Sequence, residues 1–245
     1  MKEPLATLRG LLFEAGFALS VVVFGVALVA FPVLSYRLRY GYATSWCRFV
    51  LGWLRLCCGV RYRVRGLEHL PDGGAIIMSK HQSSWETLAF QTLLPPLCWV
   101  LKRELLRIPL FGWALASLRP IAIDRGAGRK AMRQIVEQGT SRLGDGLYVL
   151  TFPEGTRVEP GTSGNYRIGP AVLAAESGAP VVPVAHNAGE LWARRRIAKY
   201  PGCIEVVIGP PIQSAGRSAD DVLAAARGWI EQEMLALNGQ ARQRR

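Results

Sequence analysis

Acidic residues, histidine and paired cysteine are what this chain has least of. It carries 18 aspartates and glutamates against 30 lysines and arginines, for a net charge of +12. So basic a surface attracts polyanions: nucleic acid, anionic lipid headgroups or an acidic carrier protein. No RNP, helix-turn-helix or zinc-finger signature is present, and the arginines are scattered among apolar runs, so no nucleic-acid partner is expected. The cysteines number five and form no CxxC pair, so neither a disulfide framework nor a zinc site is expected. They read as small apolar packing residues in a reducing compartment. No internal repeat is visible.

Apolar residues, by contrast, make up 50% of the 245 positions, which is high for a chain this charged. Residues 15–35 form an apolar run without a charge. About 20 helical residues cross a bilayer core, and few core helices stay apolar all round for so long. A cleaved signal peptide does not fit, because Leu28 stands two positions before Ala30 where a small residue is needed. Residues 44–60 mix Trp46, Phe49, Trp53 and Leu54 with Arg48 and Arg55, the pattern of an amphipathic helix at a membrane interface or on a domain surface. The two segments either span the bilayer or form a hairpin dipping into one leaflet. Arg37, Arg39, Arg48 and Arg55 follow the first run, whereas only Lys2 and Arg9 precede it. The positive-inside rule then predicts a cell-membrane protein of bacterial inner-membrane type with its main domain in the cytoplasm.

From residue 60 onward, short β-rich runs alternate with helical spacing. Strands are predicted over 60–65, 74–79, 98–101, 120–123, 147–152, 181–186 and 204–208, with helices over 84–94, 128–142 and 219–237. The alternation predicts an α/β fold, a mostly parallel sheet flanked by helices, behind an N-terminal membrane-embedding helical segment. The domain boundaries expected are 1–59 for the anchor, 60–239 for the α/β domain and 240–245 for a disordered basic tail.

Lys80-His81-Gln82-Ser83-Ser84-Trp85-Glu86 follows a predicted buried strand and opens a helix. Ligands bind at such strand ends, and a histidine there can take a proton from a hydroxyl and return it to a leaving group. Glu86 would lie about 140° round a continuous helix from His81, so the two meet only if His81 sits in the turn before it. Glu86 would then orient the imidazole. Ser83 and Glu86 equally form a capping box, which leaves Glu86 a purely structural reading. Backbone amides near this first turn are expected to stabilise an oxyanion, without the sequence naming which ones. Phe152-Pro153-Glu154-Gly155-Thr156-Arg157 ends another strand: Gly155 permits close backbone approach, and Arg157 offers a planar fork for phosphate. Lys102, Arg103 and Arg125 also follow strands, so four cations are expected to converge on one sheet edge. His69 and His186 read as structural.

In this order the motifs resemble the glycerolipid acyltransferase family, specifically its 1-acylglycerol-3-phosphate acyltransferases, over about residues 66–209. His81 with Glu86 is similar to the family's H-x4-D motif, here with Glu for the usual Asp. The stretch 102–113 with Arg125 resembles the second motif, Phe152 to Arg157 the E-G-T-R motif, and Val181-Val182-Pro183-Val184 the fourth. The resemblance implies catalysis by His81 with Glu86, and acceptor binding by Lys102, Arg125, Glu154, Gly155, Thr156 and Arg157. Pro183 would serve the donor side or the architecture of the site. The implied reaction transfers an acyl group from acyl-CoA or acyl carrier protein to the sn-2 hydroxyl of 1-acylglycerol-3-phosphate, giving phosphatidic acid for phospholipid synthesis. It calls for no metal and no further cofactor. The implied partners are membrane phospholipid and a lysophospholipid acceptor. Two alternatives stay open: another lysolipid acceptor such as lyso-ornithine lipid, or a non-catalytic membrane lipid-binding protein.

Overall fold

The computed structural model describes residues 3–30, 34–124 and 126–243. Lys2 and Arg125, named above, and the last two residues of the basic tail, Arg244 and Arg245, lie outside the described residues. Two long helices come first, α1 (Glu3–Ala30) and α2 (Tyr36–Cys58). The Ser35 hydroxyl caps α2 by accepting the Leu38 N–H, and Gly59 ends it at φ 70°, a conformation open to residues without a Cβ. Both helices exceed the segments read from the sequence. Alanines and leucines before residue 15 continue α1 backwards, and the Ser35 cap starts α2 ahead of its amphipathic stretch.

Seven strands follow: β1 (Val60–Arg65), β2 (Ile76–Ser79), β3 (Leu97–Lys102), β4 (Ile121–Ile123), β5 (Tyr148–Thr151), β6 (Val181–His186) and β7 (Gly202–Ile208). Between and after them run α3 (Trp85–Leu93), α4 (Phe111–Ala116), α5 (Arg129–Gly144), α6 (Gly169–Ser177) and α7 (Ala219–Gln243). The sheet order is β1-β7-β6-β2-β5-β3-β4, and every neighbouring pair is parallel except β6 with β7. The expected mostly parallel α/β sheet is therefore present. The central strands β2, β5 and β6 are buried along their whole length, as a parallel sheet covered on both faces requires. β1 lies at the edge, so most of its residues are exposed and its alternation does not divide core from solvent.

Helices cover both faces. On one face Val50, Leu54, Trp85 and Phe90 of α2 and α3 pack with Ile77, Leu97 and Leu150. On the other, Ile135, Leu173, Val222 and Ile230 of α5, α6 and α7 pack with Ile76, Val149 and Val181. α7 runs past the expected end into the basic tail, because Gln240, Ala241, Arg242 and Gln243 are helix formers with no stop signal among them.

α1 is the one described helix long and apolar enough to cross a membrane. It is also docked along its length. Gly10 passes so close to the Ile197 carbonyl that a Cβ there would collide with it. The Phe13 ring meets Trp192 edge-on at 5.0 Å, Glu14 pairs with the buried Lys199 at 2.6 Å, and Ser20 accepts the Trp46 indole N–H at 3.1 Å. The opposite face of α1 exposes Leu8, Leu12, Leu19, Val22 and Val26.

Candidate active site

β2 delivers Lys80 and His81 to the C-terminal edge of the sheet, and α3 starts only at Trp85. His81 therefore lies in the turn before the helix, where it can bend back toward Glu86. Its Nδ1 is 2.8 Å from Glu86 Oε1. The same oxygen accepts the backbone N–H groups of Gln82 and Ser83, each at 2.8 Å. Capping and pairing are thus one arrangement rather than alternatives: the carboxylate that closes the turn also fixes the ring. With Nδ1 donating to Glu86, His81 Nε2 is left as the basic nitrogen. The Phe152 ring stacks on the imidazole at 4.0 Å and holds it in plane.

Glu86 is completely buried. Burial pushes its carboxyl up, but His186, His81 and the Ser83 amide outweigh burial and hold it below the usual 4.5. Burial depresses the His186 pKa. Its Nδ1 accepts the Ala188 N–H, and its Nε2 donates to the Lys80 carbonyl at 2.8 Å. His186 therefore steadies the residue before the base. His69 bonds the Ile208 carbonyl at 2.8 Å, well along the sheet edge, in the structural role expected.

Four amides of the turn are engaged within the protein. Those of Gln82 and Ser83 go to Glu86, that of His81 to Glu154, and that of Trp85 to the Ser83 hydroxyl. Each of these donors is consumed in building the turn.

A cleft of about 240 Å³ opens beside His81, lined by Leu88, Trp99, Leu105, Phe111 and Phe152, with Arg157 at the same mouth as the base. Ala43, Trp46, Phe111, Leu115 and Leu118 continue it into a narrower apolar pocket against α1 at Val21 and Phe24. Arg157 is half-buried, and its guanidinium has no hydrogen bond or ion pair among the described residues. Burial lowers its pKa, Glu86 pulls it back up, and it remains a cation at neutral pH. A half-buried guanidinium with no partner among the described residues, next to a base and an apolar channel, suits an acceptor with an anionic head and a greasy tail.

The other residues expected at the site are placed differently. Glu154 is buried, with both carboxylate oxygens engaged: Oε1 with Lys80 Nζ at 2.8 Å, and Oε2 with the His81 N–H at 3.0 Å. It meets the site through the backbone of the base. Gly155, at φ 69°, and the exposed Thr156 line a second cleft of about 410 Å³ on the far side of Phe152, beside α5. Lys102 is exposed at the end of β3, 3.7 Å from Glu104, and is not among the residues lining the His81 cleft. Arg125 lies outside the described residues, so among the cations expected to converge Arg157 alone is seen at the base. Lys80 was not singled out from the sequence. Its signal was a lysine inside an otherwise buried strand end, a position lysine occupies only when paired.

Comparison with known proteins gives the class. The Acyltransferase family model matches residues 61–187, and the chain belongs to that family. Among its relatives is a 1-acyl-sn-glycerol-3-phosphate acyltransferase of Pseudomonas aeruginosa, 43% identical over 236 residues, covering 94% of this chain and 92% of the relative. The human 1-acyl-sn-glycerol-3-phosphate acyltransferase alpha is 30% identical over 217 residues, covering 87% of this chain and 76% of the relative. The fold matches the crystal structure of the 1-acyl-sn-glycerophosphate (LPA) acyltransferase PlsC from Thermotoga maritima with a TM-score of 0.78 at 22% identity, covering 94% of this chain and 95% of that one.

Proposed function

We propose that this acyltransferase moves an acyl group from a thioester donor to the sn-2 hydroxyl of 1-acylglycerol-3-phosphate, producing phosphatidic acid. The carrying observation is the 2.8 Å contact of His81 Nδ1 with Glu86, with Arg157 lining the same cleft. His81 Nε2 removes the hydroxyl proton, and the alkoxide attacks the thioester carbonyl. Glu86 stabilises the imidazolium that forms. The tetrahedral intermediate collapses with loss of the C–S bond, and the thiolate takes the proton from His81. Arg157 grips the acceptor phosphate, while Glu154 and Gly155 shape the turn that presents it. Lys102 and Arg125 add positive charge that attracts the anionic acceptor. An acyl chain lies in the channel between α1, α2 and α4.

The donor is acyl-CoA or acyl carrier protein, both anionic and both drawn to a surface of charge +12. The exposed apolar face of α1 supports association with a membrane, and the arginines that follow it favour a catalytic layer on the cytoplasmic side by the positive-inside rule. The anchor of residues 1–59 and the domain of residues 60–239 work as one body, since Val50 and Leu54 belong to the same core as the sheet.

The test is transfer by the purified protein to a panel of lysolipids from both donors, with His81→Ala alongside. Transfer to 1-acylglycerol-3-phosphate that disappears in His81→Ala is expected. A variant that keeps the wild-type rate eliminates the scheme.

A further inference from the structure

Lys80 is the residue just before the base, and its side chain is fully buried. Its ammonium meets Glu154 Oε1 at 2.8 Å, Glu231 Oε1 at 2.9 Å and the Thr162 carbonyl at 2.9 Å. Glu231 comes from α7, and the same oxygen accepts the Tyr166 hydroxyl at 2.8 Å. A buried ammonium persists only when its hydrogen bonds and charge are well matched. None of these groups handles a proton or touches an acyl group in the scheme above, yet all of them converge on the residue before the base.

The network is built into the backbone of both chemistry-bearing turns. Glu154 accepts the His81 N–H at 3.0 Å, and the His81 carbonyl accepts the Val158 N–H at 2.8 Å. Residue 81 is thus clasped by residues 154 and 158, which bracket Arg157. Glu154 also accepts the Gly164 N–H at 3.0 Å, which ties the following loop into the same knot. The distance between base and guanidinium is a property of this clasp. What holds Glu154 in the clasp is Lys80, and what shares Lys80 is a carboxylate from the last helix of the chain.

We infer that Glu231 is a positioning residue for acyl transfer: through Lys80 and Glu154 it sets the register between the His81 turn and the Arg157 turn. The inference rests on the roles proposed above for those two residues. Without Glu231, Lys80 keeps one carboxylate instead of two, and the Tyr166 hydroxyl loses its partner. The ammonium then settles further onto Glu154, at the expense of the Glu154 bond to the His81 amide. Glu231 is ionised in its place: burial pushes its carboxyl up, but hydrogen bonds from Lys80 and Tyr166 bring it below the usual value.

The test compares wild type, Glu231→Ala, Glu231→Gln and His81→Ala as full-length proteins in one detergent or bilayer preparation. It reads kcat, KM for the acceptor, KM for the donor, and Tm. Small misplacements in a site cost large factors, so Glu231→Ala should raise acceptor KM about fivefold or more and lower kcat about tenfold, with donor KM unchanged. Glu231→Gln returns an acceptor oxygen to Lys80 and Tyr166 and should recover most of both losses. If Glu231→Ala does not fold, Glu231→Gln carries the test, with acceptor KM expected to rise about two- to threefold. Lower Tm with unchanged kcat per folded enzyme and unchanged KM values would overturn the inference while an inactive His81→Ala leaves the catalytic assignment standing. Full activity in His81→Ala would instead remove the reading on which the inference is built.

Discussion

Three hydrogen bonds end on a single oxygen of Glu86, so its geometry and its charge can be tested separately. Glu86→Gln keeps an acceptor oxygen and loses the charge that supports the imidazolium. Its kcat should fall by roughly 10² to 10⁴, as expected when a histidine loses its carboxylate. Glu86→Asp keeps the charge but withdraws it by about one methylene, so that it no longer reaches His81, Gln82 and Ser83 together; kcat should fall about tenfold or more. Steady-state kinetics on both variants checks the pair, and a fully active Glu86→Gln would deny the dyad. The depressed Glu86 pKa also fixes a sign. Its stabilising contribution is complete above about pH 4.5, its unfolded value, and fades as pH falls through the lower folded value. Thermal melts of wild type should hold level from neutral pH to about 5 and drop below 4.5, with a shallower drop in Glu86→Gln. At Arg157, truncation to Ala should raise acceptor KM about 10- to 100-fold for 1-acylglycerol-3-phosphate and leave a phosphate-free lysolipid nearly unchanged, because a bidentate charge-assisted contact is lost. Equal losses on both acceptors would remove Arg157 from the phosphate site. His81, Glu86 and Arg157 were readable in sequence because each sits in a short strand-end motif with its local partners. The internal use of Glu154 was not, because Lys80 and Glu231 lie 74 residues before it and 77 after it, and only the fold brings the three together.

Helices and strands were legible wherever length and periodicity were strong. The seven strands read as β-rich runs with ends off by a residue or two, as fraying predicts. α4 and α6 were not readable. α4 has 6 residues with Gly112 inside it, and α6 has 9 residues opening on Gly169-Pro170, so both look like turns until the core claims their apolar faces. The cost of missing α4 is functional, since Phe111, Leu115 and the adjacent Leu118 form one wall of the channel running from His81 to α1. Ala43 of α2 lies in the stretch shared by the wide and narrow parts, and is small and buried. Ala43→Phe would fill that stretch. Competition among acyl donors of different length should then shift preference toward shorter chains, with turnover of the shortest within about twofold of wild type; overpacking of roughly 1–3 kcal/mol sets the stability loss to expect. Unaltered chain preference would mean the chain lies elsewhere.

At the scale of the molecule, α1 has to satisfy two demands that conflict for an ordinary anchor. Its length and composition would carry it across a bilayer, yet one stripe is fastened to the catalytic layer through Gly10, Phe13, Glu14, Ser20 and Phe24. A helix standing clear of the domain would abandon those contacts and leave the buried Lys199 ammonium without its carboxylate. Lying along the protein, it keeps them and turns Leu8, Leu12, Leu19, Val22 and Val26 outward as an apolar face, which predicts burial of that face among the lipids of one leaflet. The arginines at Arg37, Arg48, Arg55, Arg61 and Arg65 then add headgroup attraction, at about 1 kcal/mol each near an anionic surface. These two contributions respond differently to salt, because screening weakens the charge term and leaves the apolar one intact. Sedimentation with anionic vesicles should therefore show binding that weakens on going from about 0.05 M to 0.5 M salt without vanishing. Binding to neutral vesicles should be weaker but insensitive to salt. Leu12→Glu with Leu19→Glu, both on the exposed face, should abolish the salt-resistant part and spare the fold. Complete release by salt, or protease access to the two ends of α1 from opposite sides of a sealed vesicle, would contradict the lateral arrangement and restore the spanning one.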